Sequence, residues 1–148
     1  MKTVLATTLL FFLGATRAQA QKLERINPEG LTKSPGYSQV VKVGKLVFIA
    51  GQTGVKADGQ VVGPGMKEQY EQVLANLATA LKSQGLDMGH VAMTTTFVTN
   101  IEEFRTPEVQ ALRPKHFGTN PPTSTLVQVV RLANPAYKVE VEAIAVLP

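Results

Sequence analysis

Residues 122–146 read PTSTLVQVVRL, then ANPAY, then KVEVEAIAV. The first and third pieces are rich in β-branched residues and the middle one in turn formers, which predicts two strands joined by a short connection, a final hairpin. Side chains two apart on a strand share a face. Glu140 and Glu142 therefore fall on one side with Lys138, and Val139, Val141 and Ala143 on the other. Such a strand is either the charged face of a half-buried sheet or a rigid support that holds a carboxylate in a cleft.

Upstream, the order of elements follows from local pattern. Gln21 to Gly36 is polar and broken by Pro28, Gly30, Pro35 and Gly36, and reads as a surface arm. Ser38–Val43 and Lys45–Ala50 form a hairpin about Gly44. A short Val61-Val62 strand follows the Ala57–Gln60 turn. Met66, Tyr70, Val73, Leu74, Leu77 and Leu81 recur at helical spacing, and Gly85 is placed to end that helix. Val91–Thr99 is a strand and Asn100–Phe104 a turn. A second helix starts at Thr106-Pro107, runs through Val109 and Leu112, and ends or kinks at Arg113 because of Pro114. Two helices on one face of a mixed sheet make an α+β domain. The other face is left apolar, and its burial between copies predicts a closed homo-oligomer.

The chain has 148 residues, enough for one domain. Its first 20 read as a secretory signal: a positive Met1-Lys2 end, an apolar run over Val4–Gly14 and a small-residue site at Ala18-Gln19-Ala20. The run is short for a bilayer span and Arg17 limits it. A secreted or periplasmic domain over residues 21–148, with no membrane attachment after cleavage, is the expectation. Removing Lys2 and Arg17 lowers the formal charge from +4 by two, to +2. Scattered basic residues and few aromatics argue against a nucleic-acid partner. Cysteine is absent, which excludes thiol chemistry and cysteine-bound zinc.

Few residues offer chemistry. No phosphate-binding loop, dinucleotide fingerprint, nucleophile elbow or metal-spaced histidine pair occurs. His90 and His116 read as solvated or locally bonded. Ser124 and Thr125 sit at a strand start, where hydroxyls usually satisfy backbone groups. Tyr37 is an aromatic on a loop rim, free to stack on a ligand or simply to pack. Glu140 and Glu142 are the acid/base candidates, against the plainer reading of solvated sheet charges.

Phe48-Ile49-Ala50-Gly51-Gln52, Thr94-Thr95 before Phe97-Val98, and Val139-Glu140-Val141-Glu142-Ala143-Ile144-Ala145 resemble strand motifs of the reactive-intermediate deaminase (RidA/YjgF) family. The resemblance runs from about Ile26 to Pro148. It implies a chorismate-mutase-like α+β fold, a homotrimer with ligand clefts between subunits, and cofactor-free, metal-free hydrolysis of imines and enamines derived from amino acids. Carried onto this sequence, it makes Glu140 the water-positioning carboxylate, Tyr37 the cleft tyrosine and Gly51 a backbone donor. The family's substrate-gripping arginine falls on Ser124, and the position two further on is Leu126, whose amide joins the substrate-binding set. A serine in place of a guanidinium implies a carboxylate grip weaker by about 2–3 kcal/mol, and hence a substrate other than a simple 2-imino acid. A family asparagine appears as Glu108. The alternative is a trimer that binds a small molecule in the same clefts without catalysis.

Overall fold

The computed structural model describes residues 21–148, so the expected signal segment lies outside the described residues. Six strands form one mixed sheet: β1 (Leu23–Ile26), β2 (Val40–Val43), β3 (Leu46–Thr53), β4 (Val91–Val98), β5 (Thr123–Gln128) and β6 (Val139–Val146). Their spatial order is β1-β2-β3-β6-β4-β5. All pairings are antiparallel except β4 with β5. The α+β class expected from the pattern is the one observed.

One helix dominates the covered face. α1 (Met66–Lys82) buries Met66, Tyr70, Val73, Leu74, Leu77 and Leu81, the stripe that the spacing predicts. It lies across β3 and β6, where Val47, Ile49, Val139, Val141, Ala143 and Ala145 meet it. Complete burial of one such leucine contributes about 1.5–3 kcal/mol. Gly85, at φ 71°, lets the chain turn after the helix. The Leu86 N–H then returns to the Leu81 carbonyl at 3.0 Å, closing the end in the Schellman manner.

Four local expectations are corrected. The final two strands do not pair as a hairpin, because β4 is inserted between them. A parallel β4–β5 pair needs a crossover, and the segments over residues 101–117 supply it. The expected arm contains an edge strand, β1, in register with β2 from Leu23↔Val43 to Ile26↔Val40. Leu23-Glu24-Arg25-Ile26 carries no period-2 alternation of apolar and polar residues, and Pro28 and Gly30 pointed to a loop. Val61 forms only an isolated bridge to Val55.

The second helix is divided. Asn100, expected in a turn, caps α2 (Ile101–Phe104) by accepting from the Glu102 and Glu103 amides at 2.9 and 3.1 Å. α3 (Pro107–Gln110) starts with proline at its first turn, as expected, and α4 (Leu112–Phe117) follows. Pro114 falls in the first turn of α4, where a missing N–H costs nothing. The break therefore precedes Arg113 instead of following it.

The second sheet face carries no helix. Leu46, Phe48, Met93, Val127 and Val146 are each 38–43% exposed there. Half-buried Val41 and Ile144 continue the patch with Glu142 among them.

Candidate active site

The end of β3 creates the site. Ile49 pairs with Ala143 and Gln52 with Val141, so β3 carries one residue more than β6 across this interval. The resulting bulge at Ala50-Gly51 keeps both Ile49 and Gln52 turned toward the core and bends the strand away from β6. Into the opening projects Glu140. A Cβ on Gly51 would overlap its carboxylate, lying 2.7 Å from Cδ. Glycine at 51 is thus the residue that gives the acid its space.

Four buried amide side chains hold the walls. Gln52 Nε2 donates to Gln39 Oε1 at 2.8 Å, and Gln39 Nε2 donates to the Thr32 carbonyl at 2.7 Å. The loop bearing Thr32 and Tyr37 is thereby tied to β3. Asn76 on α1 donates to the Thr53 and Val55 carbonyls at 3.1 and 2.9 Å. Gln69, fully buried, donates to the carbonyls of Gly63 and Ala136 and accepts from the Lys138 N–H. That clamp fixes the connection carrying Tyr137. Gly54 must lack a side chain here, since a Cβ would fall 2.6 Å from Gln69 Cβ.

These walls enclose a cavity of about 450 Å³, with Thr32, Tyr37, Gly51, Asn76, Tyr137 and Glu140 among its lining residues. The volume suits a small molecule. Burial pushes the Glu140 carboxyl above its usual range, and the neighbouring charge of Glu142 adds to the rise. No hydrogen bond offsets these two causes. A carboxyl so placed is suited to exchanging a proton with a bound water.

The sequence-predicted residues divide into two groups. Tyr37, Gly51 and Glu140 come together in the cavity. Ser124 and Leu126 lie on β5 at the far edge of the sheet, separated from β6 by β4. Ser124 is in register with Thr94, whose side chain is on the helix-covered face, whereas Glu140 is in register with Phe97 on the open one. Leu126 packs on the core. One copy of the chain cannot bring the two groups into a common pocket.

The other candidates have local roles. His90 Nδ1 lies 2.8 Å from Asp87 Oδ1 in a capping box on the turn Met88–His90. Burial, then the Lys115 charge, lowers the pKa of His116. Glu108 borders a groove with Lys67, Glu68 and Glu103, outside the Glu140 cavity. Glu142 lines a depression on the open face with Phe48, Met93 and Ile144. Among the described residues no group of His, Asp or Glu is arranged to hold a metal ion.

Gln39, Gln52, Gln69, Asn76 and Tyr137 were not singled out from sequence. For Gln69 and Asn76 a signal existed. Both interrupt the apolar stripe of α1 at buried positions, and a buried amide implies partners that it must satisfy.

Comparison with known proteins agrees with this geometry. Residues 30–147 match the family model described as Endoribonuclease L-PSP. The human 2-iminobutanoate/2-iminopropanoate deaminase is 34% identical over 119 residues, covering 77% of this chain and 85% of that protein. The chloroplastic Reactive Intermediate Deaminase A of Arabidopsis thaliana is 34% identical over 132 residues, covering 88% and 69%. Among solved structures, the Rid-family protein YyfA from Yersinia pestis superposes with a TM-score of 0.79 at 28% identity, covering 85% of this chain and all of that one. RidA from an Antarctic Psychrobacter gives 0.76 at 27%, covering 84% and 99%. A six-stranded mixed sheet built around the bulged Gly-Gln strand and the Val-Glu-Val-Glu strand, matched over nearly all of the described chain, places this protein in the Endoribonuclease L-PSP family, among its RidA-like members.

Proposed function

We propose that the protein hydrolyses a small imine or enamine, releasing ammonia and a carbonyl compound, in clefts completed by a neighbouring copy of the chain. The observation that carries this reading is Glu140. It is a partly buried carboxyl with no hydrogen-bond partner among the described residues, held at a glycine-lined opening in a cavity of small-molecule size.

The chemistry asks little of the protein. An imine carbon is already electrophilic, so orientation of water accounts for most of the task. Glu140 accepts a proton as the water oxygen bonds to carbon and the C=N π pair moves to nitrogen. The same carboxyl returns that proton to nitrogen. In the carbinolamine the carboxyl then carries the hydroxyl proton to nitrogen as the oxygen lone pair forms C=O, and the C–N bond breaks to expel ammonia. A raised pKa brings the acid nearer the range in which it both takes and gives a proton at neutral pH. Tyr37 and Tyr137 flank the cavity and supply apolar walls with polar tips.

A trimer is favoured by the uncovered apolar face and by Ser124 and Leu126 standing at the sheet edge opposite to Glu140. Docking of that edge on the next copy's cavity would assemble the full residue set. Export follows from residues 1–20 and is part of the same proposal. The family model's description names an endoribonuclease, but the scattered basic residues give RNA no continuous track.

Ammonia release from freshly generated 2-iminopropanoate and from a neutral imine tests the reading. The wild-type protein is expected to accelerate at least one of them, and Glu140→Gln to lower kcat by about 10²–10⁴-fold, the usual worth of a positioned acid/base. Ligand binding in the cavity without turnover of any imine would instead support a binding protein.

A further inference from the structure

The four amides that wall the cavity differ in one respect. Asn76 spends its two N–H groups on the Thr53 and Val55 carbonyls, and its oxygen accepts from Gln72 Nε2 at 2.8 Å. Gln69 is spent in the same way, its oxygen accepting from the Lys138 N–H at 2.9 Å. The Gln39 oxygen accepts from Gln52. The Gln52 nitrogen has two partners, Gln39 Oε1 at 2.8 Å and the Ala50 carbonyl at 2.9 Å, but the Gln52 oxygen has none among the described residues.

Groups that can only accept fix the orientation of this amide. The Thr32 carbonyl takes the Gln39 nitrogen, which turns the Gln39 oxygen toward Gln52, and the Ala50 carbonyl takes the second Gln52 N–H. Gln52 is only 4% exposed. Among the described residues no buried side-chain oxygen lacks a partner, so the Gln52 oxygen is open to solvent, and Gln52 meets solvent in the cavity that it lines. Gly51, one residue earlier, is the position where a Cβ would overlap the Glu140 carboxylate. Asn76 lines the same cavity from α1 and Glu140 from the open side of β6. The cavity therefore wraps the bent end of β3, with the amide and the carboxyl both on its wall.

An acceptor without a free donor is a chemical preference. Each side-chain amide N–H of Gln39, Gln52, Gln69 and Asn76 is bonded to a main-chain or side-chain oxygen. What these side chains leave to a substrate is one neutral oxygen near one carboxyl, a pair that recognises N–H. An imine gains N–H groups as it is hydrolysed: one on the neutral imine, two on the carbinolamine, three on the nitrogen that leaves. A hydrogen bond to that nitrogen strengthens along the reaction, which is the condition for lowering its barrier. A neutral amide also does this without the further rise in the Glu140 pKa that a second carboxylate would bring.

We propose that the Gln52 side-chain oxygen accepts a hydrogen bond from the substrate nitrogen and so sets the direction of the C–N bond in the cavity, with nitrogen toward the end of β3 and the carbon open to the water held by Glu140. Gln39 is a positioning residue, which acts by holding the Gln52 amide. This rests on the imine-hydrolase reading and deepens it by giving the leaving nitrogen a place.

The test uses two cations of equal charge: acetamidinium, whose planar C–N frame carries N–H groups, and its tetramethylated form, which carries none. Binding of each to the full chain is measured by calorimetry for wild type, Gln52→Met and Gln52→Glu. Both variants lose the donors to Gln39 and Ala50, but glutamate keeps an acceptor oxygen. Glu140 is common to all three proteins, so the ratio of the two affinities isolates Gln52. Wild type is expected to prefer acetamidinium by about tenfold or more, Gln52→Met to lose about tenfold of that preference, and Gln52→Glu to keep it. In turnover of propan-2-imine, Gln52→Met should lower kcat and kcat/KM together.

Equal loss of the preference in folded Gln52→Met and Gln52→Glu would reduce Gln52 to a structural tie and overturn the proposal. A preference unchanged in Gln52→Met would overturn it too. A wild type that does not prefer the N–H cation would do so whether or not the variants fold. Imine turnover with an unchanged kcat in Gln52→Met would sink this inference and leave the hydrolase reading standing. A Gln52-dependent preference without turnover of any imine would do the reverse.

Discussion

Replacing Gly51 with alanine separates the support of the fold from the support of the chemistry. The glycine's φ is not in the left-handed region, so alanine meets no backbone penalty there. Its added methyl meets Glu140, with Cδ at 2.7 Å and Cγ at 2.9 Å. Ordinary carbon contacts are about 3.5–4.0 Å, so the carboxylate must withdraw by about 1 Å. The atoms that move are the outer part of a flexible side chain facing a cavity, which places the stability cost near the low end of overpacking, about 1 kcal/mol. For a domain of this size that is a fall of about 3–6 °C in Tm. A misplacement of about 1 Å in a positioning group costs about a hundredfold in rate, or roughly 2.7 kcal/mol of transition-state stabilisation. Gly51→Ala is therefore expected to be folded and nearly inactive. Thermal unfolding and kcat/KM for imine hydrolysis measure the two sides, and a double-mutant cycle with Glu140→Gln tests the cause. In the Glu140→Gln background the alanine should cost almost nothing further in rate. Retention of wild-type kcat/KM by Gly51→Ala, or an undiminished hundredfold loss in the Glu140→Gln background, would refute the assignment of Gly51 as the residue that makes room for the acid.

Three further perturbations bear on charge. Glu142→Gln removes the second cause of the raised Glu140 pKa, so the acid limb of the pH–rate profile should move to lower pH; a limb that stays or moves upward refutes the coupling. The same raised pKa makes the proton on Glu140 stabilising: that contribution is complete below the unfolded pKa and lost as pH rises through the higher folded value, and Glu140→Gln should lack this pH dependence in chemical denaturation. Ser124→Arg should strengthen use of 2-imino acids, read as a lower KM. A new charged grip is worth about 1.5–3 kcal/mol, roughly a ten- to hundredfold gain. An inert but correctly folded Ser124→Arg protein would show that position 124 does not govern substrate choice.

What was legible in the sequence was the part encoded by short-range periodicity. The stripe from Met66 to Leu81 fixes α1 because six large apolar residues cannot share a face in any other conformation. Glu140 and Glu142 were placed on the open side of β6 by the parity of a strand. The pairing of strands was less legible, since β5 and β6 are adjacent in sequence yet separated in the sheet by β4. Parity fixes faces and says nothing about neighbours. The bulge at Ala50-Gly51 was equally hidden: one extra residue in β3 is visible only when β6 is laid beside it. Resemblance to a family supplied Tyr37, Gly51, Glu140 and Ser124 as a set. It could not supply the buried amides Gln69 and Asn76, whose partners are main-chain carbonyls far away in sequence.

The two halves of the proposed site are built on different physical terms, and this limits how each can change. Glu140 depends on backbone: the bulge, the absence of a side chain at Gly51, and amide clamps by Gln52, Asn76 and Gln69 that are tied to main-chain carbonyls. Those requirements leave little freedom, because each substitution strands a buried polar group at a cost of about 1–3 kcal/mol. The proposed substrate-binding half on β5 asks only for a donor at one exposed edge of the sheet, where Ser124 stands. The same reasoning explains why the final strand identifies the family while the strand before it distinguishes this member. In the proposed reaction, water positioning rests on a backbone opening that few substitutions leave intact, whereas the donor at the sheet edge is a single exposed side chain.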